Sequence, residues 1–400
     1  MSTPSIRPGR TVRAAVFTRP GAPVEITDVQ LAAPGTGEVE VAIAAAGVCH
    51  SDLHVLKGEW DVPVPAVLGH EGAGVVTALG AGVTGLEVGD HVVLSWVPSC
   101  GTCRQCRLGR PWQCETVATV VAPGGVLLDG TSRWSRDGAM LHHYLGVSSF
   151  AERVVVPASG AVRIRRDAPL DAVALVGCAV ATGVGAVRNT AGVEVGATVA
   201  VIGCGGVGLS CVQGARLAGA SRIVAVDIDS AKLRTARHLG ATDTVDASRV
   251  NAVRALKAAV PEGLDYVFDA IGKITTTEQA IASLGQGGAA VIVGLPPAGF
   301  TARFDPLALA EANQGVLGSN YGSVDPQQDI PHLVDLYMDG RLDLDSMISA
   351  RRPLDEAQAA LDDLAAGRSL RTLLTTGGEP DDASRGVRGD SGARRQEPLT

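Results

Sequence analysis

Short hydrophobic runs separated by glycine and proline clusters characterise the chain from Thr11 to about residue 157. Valine- and isoleucine-rich runs bounded by turn residues predict β-strands. So many short strands at this spacing predict a compact, mainly antiparallel β domain. Residues 115–150 are rich in turn residues and interrupt the series. The predicted strands are 12–17, 24–29, 39–43, 72–77, 89–94 and 150–157.

The pattern changes after a helical stretch around 170–195. A buried-type strand is followed by a glycine-rich segment and a helical run, and strands and helices then alternate. This alternation predicts an open, doubly wound parallel sheet. The predicted strands are 198–202, 222–226, 264–269 and 289–294, with a helical run that follows the glycine-rich segment and extends to Ala218, and a helix over 276–284.

The remaining chain returns to the first domain through helices near 330–339 and 354–366 and a strand at 370–375. From Gly377 the chain is polar and aperiodic, which predicts a disordered tail. The fold class is therefore α/β, with a β-rich catalytic domain and a dinucleotide-type domain. The predicted divisions are a flexible arm 1–10, a catalytic domain 11–178, a nucleotide domain 179–319, the return segment 320–376 and a tail 377–400.

Composition narrows the functional classes. Hydrophobic residues make up 46% of the chain and charged residues 19%, and fifty glycines suit a nucleotide-binding α/β protein. The net charge of −8 gives no basic surface for nucleic acid. No apolar run is long enough to span a membrane, and no secretory signal is evident. The eight cysteines therefore predict metal ligands and reduced thiols in the cytoplasm rather than disulfides.

Two soft metal ligands, Cys49 and His70, lie about twenty residues apart at the edges of apolar runs. A thiolate and an imidazole suit zinc, and our candidate for a third ligand is Cys178. Three protein ligands would leave one position for water or substrate, as in a catalytic zinc site. The alternative is that both cysteines are simply small buried hydrophobic residues.

A second cluster consists of four cysteines with spacings of three, three and eight residues. Four thiolates close a tetrahedral shell, which predicts a structural zinc that fixes a loop. An iron–sulfur cluster or redox-active cysteines are the alternatives, although cluster loops usually have other spacings. The four residues are Cys100, Cys103, Cys106 and Cys114.

The glycine-rich segment Gly203-Cys204-Gly205-Gly206-Val207-Gly208 lies between a predicted strand and a predicted helix, and Asp227 follows about twenty residues on. In this context the glycines allow the backbone to approach a pyrophosphate at the helix N-terminus. Asp227 would accept hydrogen bonds from the ribose hydroxyls and repel a 2′-phosphate, which favours NAD over NADP. A glycine-rich turn without a ligand is the alternative.

With these residues described, the chain resembles the zinc-dependent medium-chain alcohol dehydrogenases over about residues 11–376. The segment Gly69-His70-Glu71-x-x-Gly74-x5-Gly80-x-x-Val83 matches that family's zinc signature. Three segments are similar to the class III branch and its actinobacterial relatives. These are Leu128-Asp129-Gly130-Thr131-Ser132-Arg133, Leu145-Gly146-x-Ser148-Ser149-Phe150 and Val176-Gly177-Cys178-x-x-x-Thr182-Gly183.

The resemblance implies a GroES-like catalytic domain, two zinc ions per chain, NAD and a homodimer or homotetramer. Cys49, His70 and Cys178 would bind the catalytic zinc, with Glu71 as an occasional ligand and Asp52 orienting His70. Ser51 would accept the alcohol proton, which would pass through the nicotinamide ribose to His54. The implied cofactor contacts are His50, Thr182, Gly203, Gly205, Gly206, Val207, Gly208, Asp227, Lys232, Val293 and Arg371.

Trp96, Tyr144, Leu145 and Leu295 match positions that line the family's substrate site. For these residues the alternative is an ordinary place in the core. For Lys232 and His54 the alternative is an exposed side chain, since lysine is exposed by default.

The sequence thus predicts a zinc-dependent, NAD-dependent dehydrogenase that interconverts primary or aromatic alcohols and aldehydes. A thiol-adduct formaldehyde dehydrogenase is the alternative, with a mycothiol-type adduct as one example.

Class III enzymes carry an arginine four residues after the last structural cysteine, where this chain has Ala118. The loop before His70 is also short, and both departures weaken the case for a glutathione adduct. A non-catalytic zinc- and nucleotide-binding homologue is also compatible with these residues, as is an enzyme whose nicotinamide stays permanently bound.

Overall fold

The computed structural model describes residues 9–299 and 301–377. Residues 378–400 of the predicted tail and the first eight residues of the predicted arm lie outside these ranges. The strands are β1 Arg10–Phe17, β2 Glu25–Leu31, β3 Glu38–Gly47, β4 Ala66–Val67, β5 Gly72–Leu79, β6 His91–Leu94, β7 Trp134–Arg136, β8 Ala139–His143, β9 Arg153–Pro157, β10 Ala161–Arg163, β11 Thr198–Ile202, β12 Arg222–Asp227, β13 Asp243–Asp246, β14 Leu264–Asp269, β15 Leu284–Ile292, β16 Gly315–Gly318, β17 Ile348–Pro353 and β18 Arg371–Thr375.

In the described ranges, the α-helices of eight or more residues belong to the second half of the chain. The α-helices are α1 His50–Leu56, α2 Arg104–Arg107, α3 Ala122–Gly124, α4 Leu170–Val173, α5 Ala179–Gly185, α6 Gly206–Leu217, α7 Ser230–Leu239, α8 Ala252–Ala259, α9 Ile274–Ala282, α10 Pro306–Glu311, α11 Pro326–Met338 and α12 Ala357–Ala365. The 3-10 helices are Pro111–Gln113, Ala158–Gly160, Ala174–Gly177, Tyr321–Ser323, Asp345–Met347 and Leu354–Glu356, and the π-helices are Val117–Val121 and Ala186–Ala191.

The first half of the chain forms a closed five-stranded barrel in the order β1-β2-β7-β8-β4. Strands β7 and β8 close it, although the sequence predicted only turns across 115–150. Their hairpin turns through Asp137 and Gly138, both with positive φ (51° and 79°), which is the conformation that a tight two-residue hairpin turn requires. Short strands around such a turn carry too few alternating residues to be recognised by pattern.

A second sheet packs beside the barrel in the order β10-β6-β5-β3-β18-β17, with β9 pairing to β3. The pair of β3 and β18 joins distant parts of the chain, because Leu373 of β18 lies opposite Gly47 at the end of β3. The return of the C-terminal segment to the first domain is thus a strand insertion. It places Arg371 next to the start of α1.

The nucleotide-type domain is a six-stranded parallel sheet in the order β13-β12-β11-β14-β15-β16. This is the doubly wound order, with the crossover point between β11 and β14, and it confirms the predicted fold class. One boundary prediction was wrong: Leu284 is the first residue of β15 rather than the end of α9. At the other end of the chain, the strand that follows the predicted arm begins at Arg10.

Among the described residues, three hydrophobic clusters stabilise this architecture. One fills the barrel side, one lies on one face of the parallel sheet, and the largest joins the other face to the loop that carries the four cysteines. Within residues 9–299 and 301–377, no single helix is long and apolar enough to cross a membrane, and one bent pair, 170–177 with 179–191, meets those criteria only when both helices are combined.

Candidate active site

Cys49, His70 and Cys178 come from separate parts of the chain and meet in one buried cluster. Cys49 is the N-cap of α1, His70 follows β4, and Cys178 precedes α5. Their ligand atoms all lie within 4.8 Å of one another, and Nε2 of His70 is buried without a hydrogen-bond partner in the described ranges. Two thiols and a free imidazole nitrogen at this spacing fit three of the four positions around a zinc ion.

Asp52 orients two of these ligands. Its Oδ2 accepts the backbone N–H of Cys49 at 3.1 Å, and its Oδ1 lies 3.4 Å from Nδ1 of His70. Burial alone would lower the pKa of His70, but the charges of Asp52 and Cys49 outweigh it and raise the pKa to about 10. Because Nδ1 faces the carboxylate, Nε2 is the ring nitrogen on which a metal would displace the proton, as is usual for ligating histidines with a carboxylate partner.

The two thiols form a coupled pair. Contact with the Cys178 thiol lowers the pKa of Cys49 well below its usual value, and the same contact raises the pKa of Cys178. The contact therefore favours the thiolate form of Cys49 and the protonated form of Cys178. A divalent cation would displace the remaining proton, because zinc binds cysteine as thiolate.

Glu71 and Arg371 lie buried beside this cluster. Nη2 of Arg371 is 3.5 Å from Oε2 of Glu71, and Nη1 donates to the carbonyl of Val48 at 2.9 Å. Burial raises the pKa of Glu71 to about 7, although the charge of Arg371 opposes it. The carboxylate oxygens of Glu71 accept no hydrogen bond from any described residue. This placement fits the predicted role of an occasional zinc ligand, which stays a prediction.

The four cysteines of the second cluster also converge, with their sulfur atoms within 4.8 Å of one another. Sγ of Cys103 and Sγ of Cys114 are 4.0 Å apart, close to the edge of about 3.8 Å expected for a tetrahedral zinc–thiolate shell. Backbone N–H groups donate to these sulfurs from Cys100, Cys103, Cys106 and Glu115 at 3.3–3.5 Å. Such donors stabilise thiolates, so the cluster fits the predicted structural zinc.

The predicted proton-transfer residues share one face of α1. Ser51 and His54 are three residues apart, and the Cys49 thiol lies 3.8 Å from the Ser51 hydroxyl. Nδ1 of His54 contacts the Glu59 carboxylate, and the His54 ring stacks on Trp60. Neither Glu59 nor Trp60 was predicted from the sequence as a neighbour of His54. The signal that could have identified them is Gly58, which allows the chain to fold back over the helix end.

The predicted substrate residues differ in their surroundings. Tyr144 is buried, its hydroxyl donates to the carbonyl of Ser51 at 3.1 Å, and its ring meets His70 edge-on. Trp96 and Leu145 are half-buried, and the Trp96 ring lies 4.6 Å from that of Tyr321. Leu295 is 49% exposed, so its assignment to the substrate site has no support from burial and stays a prediction.

Tyr321 also lies near the ligand cluster and was not predicted from the sequence. It is fully buried, and its hydroxyl donates at 2.7 Å to the carbonyl of Gly177, the residue before Cys178. No local motif marks this position. Only the fold brings the segment after β16 next to the cysteine.

The glycine-rich segment forms the turn between β11 and α6. Gly203 has φ +98°, and a Cβ on Gly208 would lie 1.7 Å from the carbonyl oxygen of Gly203. A Cβ on Gly206 would lie 2.3 Å from Nε of Arg371, a buried donor without a described partner. An unpaired guanidinium nitrogen at a helix N-terminus fits an anionic group such as a pyrophosphate. Val207 is the second residue of α6 in the same segment.

Asp227 stands at the carboxyl end of β12 beside this turn. Its oxygens accept backbone N–H groups from Cys204 at 2.7 Å and from Asp229 at 3.0 Å, which fixes the carboxylate. The other predicted cofactor contacts differ in exposure: His50 is exposed, Lys232 is half-buried, and Thr182 and Val293 are buried. All of these roles stay predictions.

Comparison with known proteins identifies the family. The model of the alcohol dehydrogenase GroES-like domain matches residues 35–166, and that of the zinc-binding dehydrogenase domain matches residues 206–339. The chain is 40% identical over 367 residues to the probable S-(hydroxymethyl)glutathione dehydrogenase 1 of Schizosaccharomyces pombe (strain 972), covering 91% of this chain and 97% of the relative. The chain belongs to the zinc-binding alcohol dehydrogenase family.

Two solved structures of zinc-binding alcohol dehydrogenases share the fold. One is an alcohol dehydrogenase zinc-binding domain protein from Burkholderia ambifaria, with a TM-score of 0.88, 38% identity, and coverage of 92% of this chain and 99% of that chain. The other is the benzyl alcohol dehydrogenase of Acinetobacter calcoaceticus, with a TM-score of 0.87, 34% identity and the same coverage. The resemblance inferred from the sequence is confirmed. The protein is a zinc- and NAD-dependent oxidoreductase of the alcohol dehydrogenase type.

Proposed function

We propose that this dehydrogenase transfers a hydride reversibly between a primary or aromatic alcohol, or the corresponding aldehyde, and NAD. The observation that carries the proposal is the buried cluster of Cys49, His70 and Cys178, with the free Nε2 of His70 and the Ser51 hydroxyl beside it. When bound, zinc supplies Lewis acidity and the nicotinamide supplies the hydride acceptor.

The remaining chemistry is assigned to side chains of this chain. Asp52 orients His70, and Tyr144 fixes the first turn of α1 through the carbonyl of Ser51. Ser51 takes the proton from the alcohol hydroxyl, and His54, on the same helix face, receives it nearer the solvent. Trp96 and Tyr144 bring apolar ring surface to the substrate side, which suits an aromatic or short aliphatic substituent.

The choice of NAD is supported by Asp227. Its carboxylate is fixed by two backbone N–H groups at the end of β12, where a 2′-phosphate would meet a like charge. Arg371 contributes the unpaired Nε beside Gly206, in the position expected for contact with a pyrophosphate.

A second candidate is oxidation of a thiol adduct of formaldehyde. It is favoured by relatives named S-(hydroxymethyl)glutathione dehydrogenase, including one from Paracoccus denitrificans that is 38% identical. Ala118 weakens the glutathione version, because it is exposed on the helix after the last cysteine of the Cys₄ cluster and offers no cation for a carboxylate. An adduct of another low-molecular-weight thiol is compatible with this position.

NADH formation with a panel of alcohols, with and without formaldehyde plus a thiol, tests both candidates. The proposal expects turnover of plain alcohols that is lost in Ser51→Ala and retained in Ser51→Thr, which keeps the hydroxyl. Turnover only when thiol and formaldehyde are both present would favour the second candidate. If all substrates fail while two zinc ions remain bound, the protein is a non-catalytic homologue or retains its nicotinamide permanently, and analysis of cofactor after purification separates these.

We also propose a homodimer or homotetramer formed through the nucleotide-type sheets. Strand β16 lies at the edge of the sheet, and Val316 and Leu317 on it are 41% and 36% exposed. An apolar edge strand is a site where a second chain can pair. Gel filtration that gives a monomer at micromolar concentration would refute this assembly.

A further inference from the structure

The turn that ends α1 folds the chain back onto His54. Lys57 caps the helix, and Gly58 adopts φ +71°, which a glycine accommodates without strain. The backbone N–H of Glu59 then donates to the carbonyl of His54 at 2.8 Å. The two residues after Gly58 are therefore fixed next to the histidine by the backbone, independently of their side chains.

Both side chains of this turn contact the His54 ring. The Glu59 carboxylate pairs with Nδ1, and the Trp60 ring stacks on the imidazole with centroids 4.5 Å apart and planes inclined by 19°. The His54 side chain is 22% exposed and that of Glu59 is 35% exposed, so the pair lies at the boundary between protein and solvent. One nitrogen and one face of the ring are occupied, and Nε2 is the nitrogen left for proton transfer.

We propose that Glu59 is a positioning residue for His54, and that the two form a carboxylate–imidazole pair which receives the proton released in alcohol oxidation. The inference rests on the proposed function. It assigns Glu59 the task of keeping the proton of neutral His54 on Nδ1, so that Nε2 presents a lone pair. Trp60 adds the stacking surface that fixes the plane of the ring.

The proton balance follows from the reaction. Oxidation of an alcohol by NAD yields a carbonyl compound, NADH and one proton. That proton forms a new N–H bond at Nε2 of His54, and the resulting imidazolium stands against the Glu59 carboxylate until Nε2 releases the proton to water. Glu59 remains unprotonated throughout and only stabilises the charged form of the ring through a charge-assisted hydrogen bond.

The geometry can be tested without turnover. In zinc-loaded protein with ¹⁵N-labelled histidine, nuclear magnetic resonance reports which ring nitrogen carries the proton, and the missing signal of His54→Gln assigns His54. The proposal expects neutral His54 to carry its proton on Nδ1 and to have an unprotonated Nε2. An Nε2-protonated ring in the wild-type protein would overturn the proposal whether or not the enzyme is active.

The function is tested by single-turnover NADH formation, so that NADH release does not limit the observed rate. Glu59→Gln removes the charge and retains the shape, and Asp61→Asn removes the same charge from an exposed position on the same loop. We expect Glu59→Gln to slow single-turnover NADH formation about fivefold, because the partial exposure of the pair weakens its charge-assisted hydrogen bond. Asp61→Asn should form NADH at the wild-type rate. Zinc content and the Kd for NADH should be unchanged in both.

A double-mutant cycle distinguishes positioning from a purely structural contribution. In the His54→Gln background, Glu59→Gln should have no further effect on the transient rate, because its only target is gone. An equal slowing in both backgrounds, or equal rates for Glu59→Gln and Asp61→Asn in an active enzyme, would overturn the inference while leaving the proposed function intact. Loss of all hydride transfer in the wild type would instead count against the proposed function, and the tautomer measurement would still decide the geometry.

Discussion

His143 makes the stability of the catalytic domain sensitive to acid. It ends β8, is 2% exposed, and its Nε2 accepts the backbone N–H of Arg133 at 3.3 Å. Its Nδ1 is buried without a hydrogen-bond partner in the described ranges. Protonation of Nε2 would place its new N–H against the backbone N–H of Arg133, so that two donors would face each other. Burial, and then the charge of Arg133, lower the pKa of His143 to about 3.

The sign and size of the effect follow from linkage. The unfolded chain binds this proton near pH 6.5, whereas the folded protein binds it only near pH 3. Stability from the neutral ring is therefore fully present above pH 6.5 and falls as the pH drops towards 3. Between pH 7 and pH 5 the single group should lower the free energy of unfolding by about 2 kcal/mol.

The test compares the wild type with His143→Gln, whose amide oxygen replaces the Nε2 acceptor without titrating. Urea unfolding in excess zinc, followed by intrinsic tryptophan fluorescence, gives the free energy of unfolding at pH 7 and pH 5. The free energy of unfolding of the variant can be lower than that of the wild type at pH 7. Between pH 7 and pH 5, however, it should fall by about 2 kcal/mol less than that of the wild type. Equal losses would refute the assignment of a buried, neutral His143, since all other titrating groups cancel in the comparison.

Three further outcomes are expected. Asp227→Asn should narrow the preference for NAD over NADP by about tenfold or more in kcat/KM, because it removes the like charge while keeping an acceptor. Tyr144→Phe should lower the free energy of unfolding by about 1 kcal/mol in urea titrations, since it deletes only the buried hydroxyl that donates to Ser51. Metal analysis should give two zinc ions per chain in the wild type and about one in Cys49→Ala, with the fold retained. Cys103→Ala should instead markedly lower the midpoint of thermal unfolding, because a structural zinc contributes folding energy. An unchanged midpoint would refute the Cys₄ zinc site.

The parallel sheet and the Cys₄ cluster could be predicted because their signals are local. The run Thr198–Ile202, the glycine-rich turn and Asp227 lie within thirty residues of one another, and each carries its meaning in a short pattern. The Cys₄ cluster occupies fifteen residues, from Cys100 to Cys114. Residues this close in the sequence are also close together in the folded structure, so their spacing along the chain is informative.

The parts that escaped prediction depend on tertiary contacts. Strands β7 and β8 are three and five residues long, too short for alternation to distinguish them from turns, and the closing barrel decides their conformation. Tyr321 approaches Gly177 only because the segment after β16 folds over the metal-bearing loops. Glu59 was visible as a loop carboxylate, but its target His54 became evident only once the turn at Gly58 was known.

Arg371 reaches its place between the ligand cluster and the glycine-rich turn because the chain returns to its first domain after the nucleotide-type sheet. A guanidinium buried this deeply is costly unless it is paired, and its contacts come from separate segments of the chain. It meets the Val48 carbonyl before α1 and the Glu71 carboxylate after His70, while its Nε faces Gly206 at the start of α6. The insertion of β18 beside β3 is what delivers this side chain, so the metal cluster and the nucleotide turn are coupled through one residue. A change at Arg371 should therefore disturb cofactor binding and the ligand cluster together, whereas changes at Asp227 should affect cofactor binding alone.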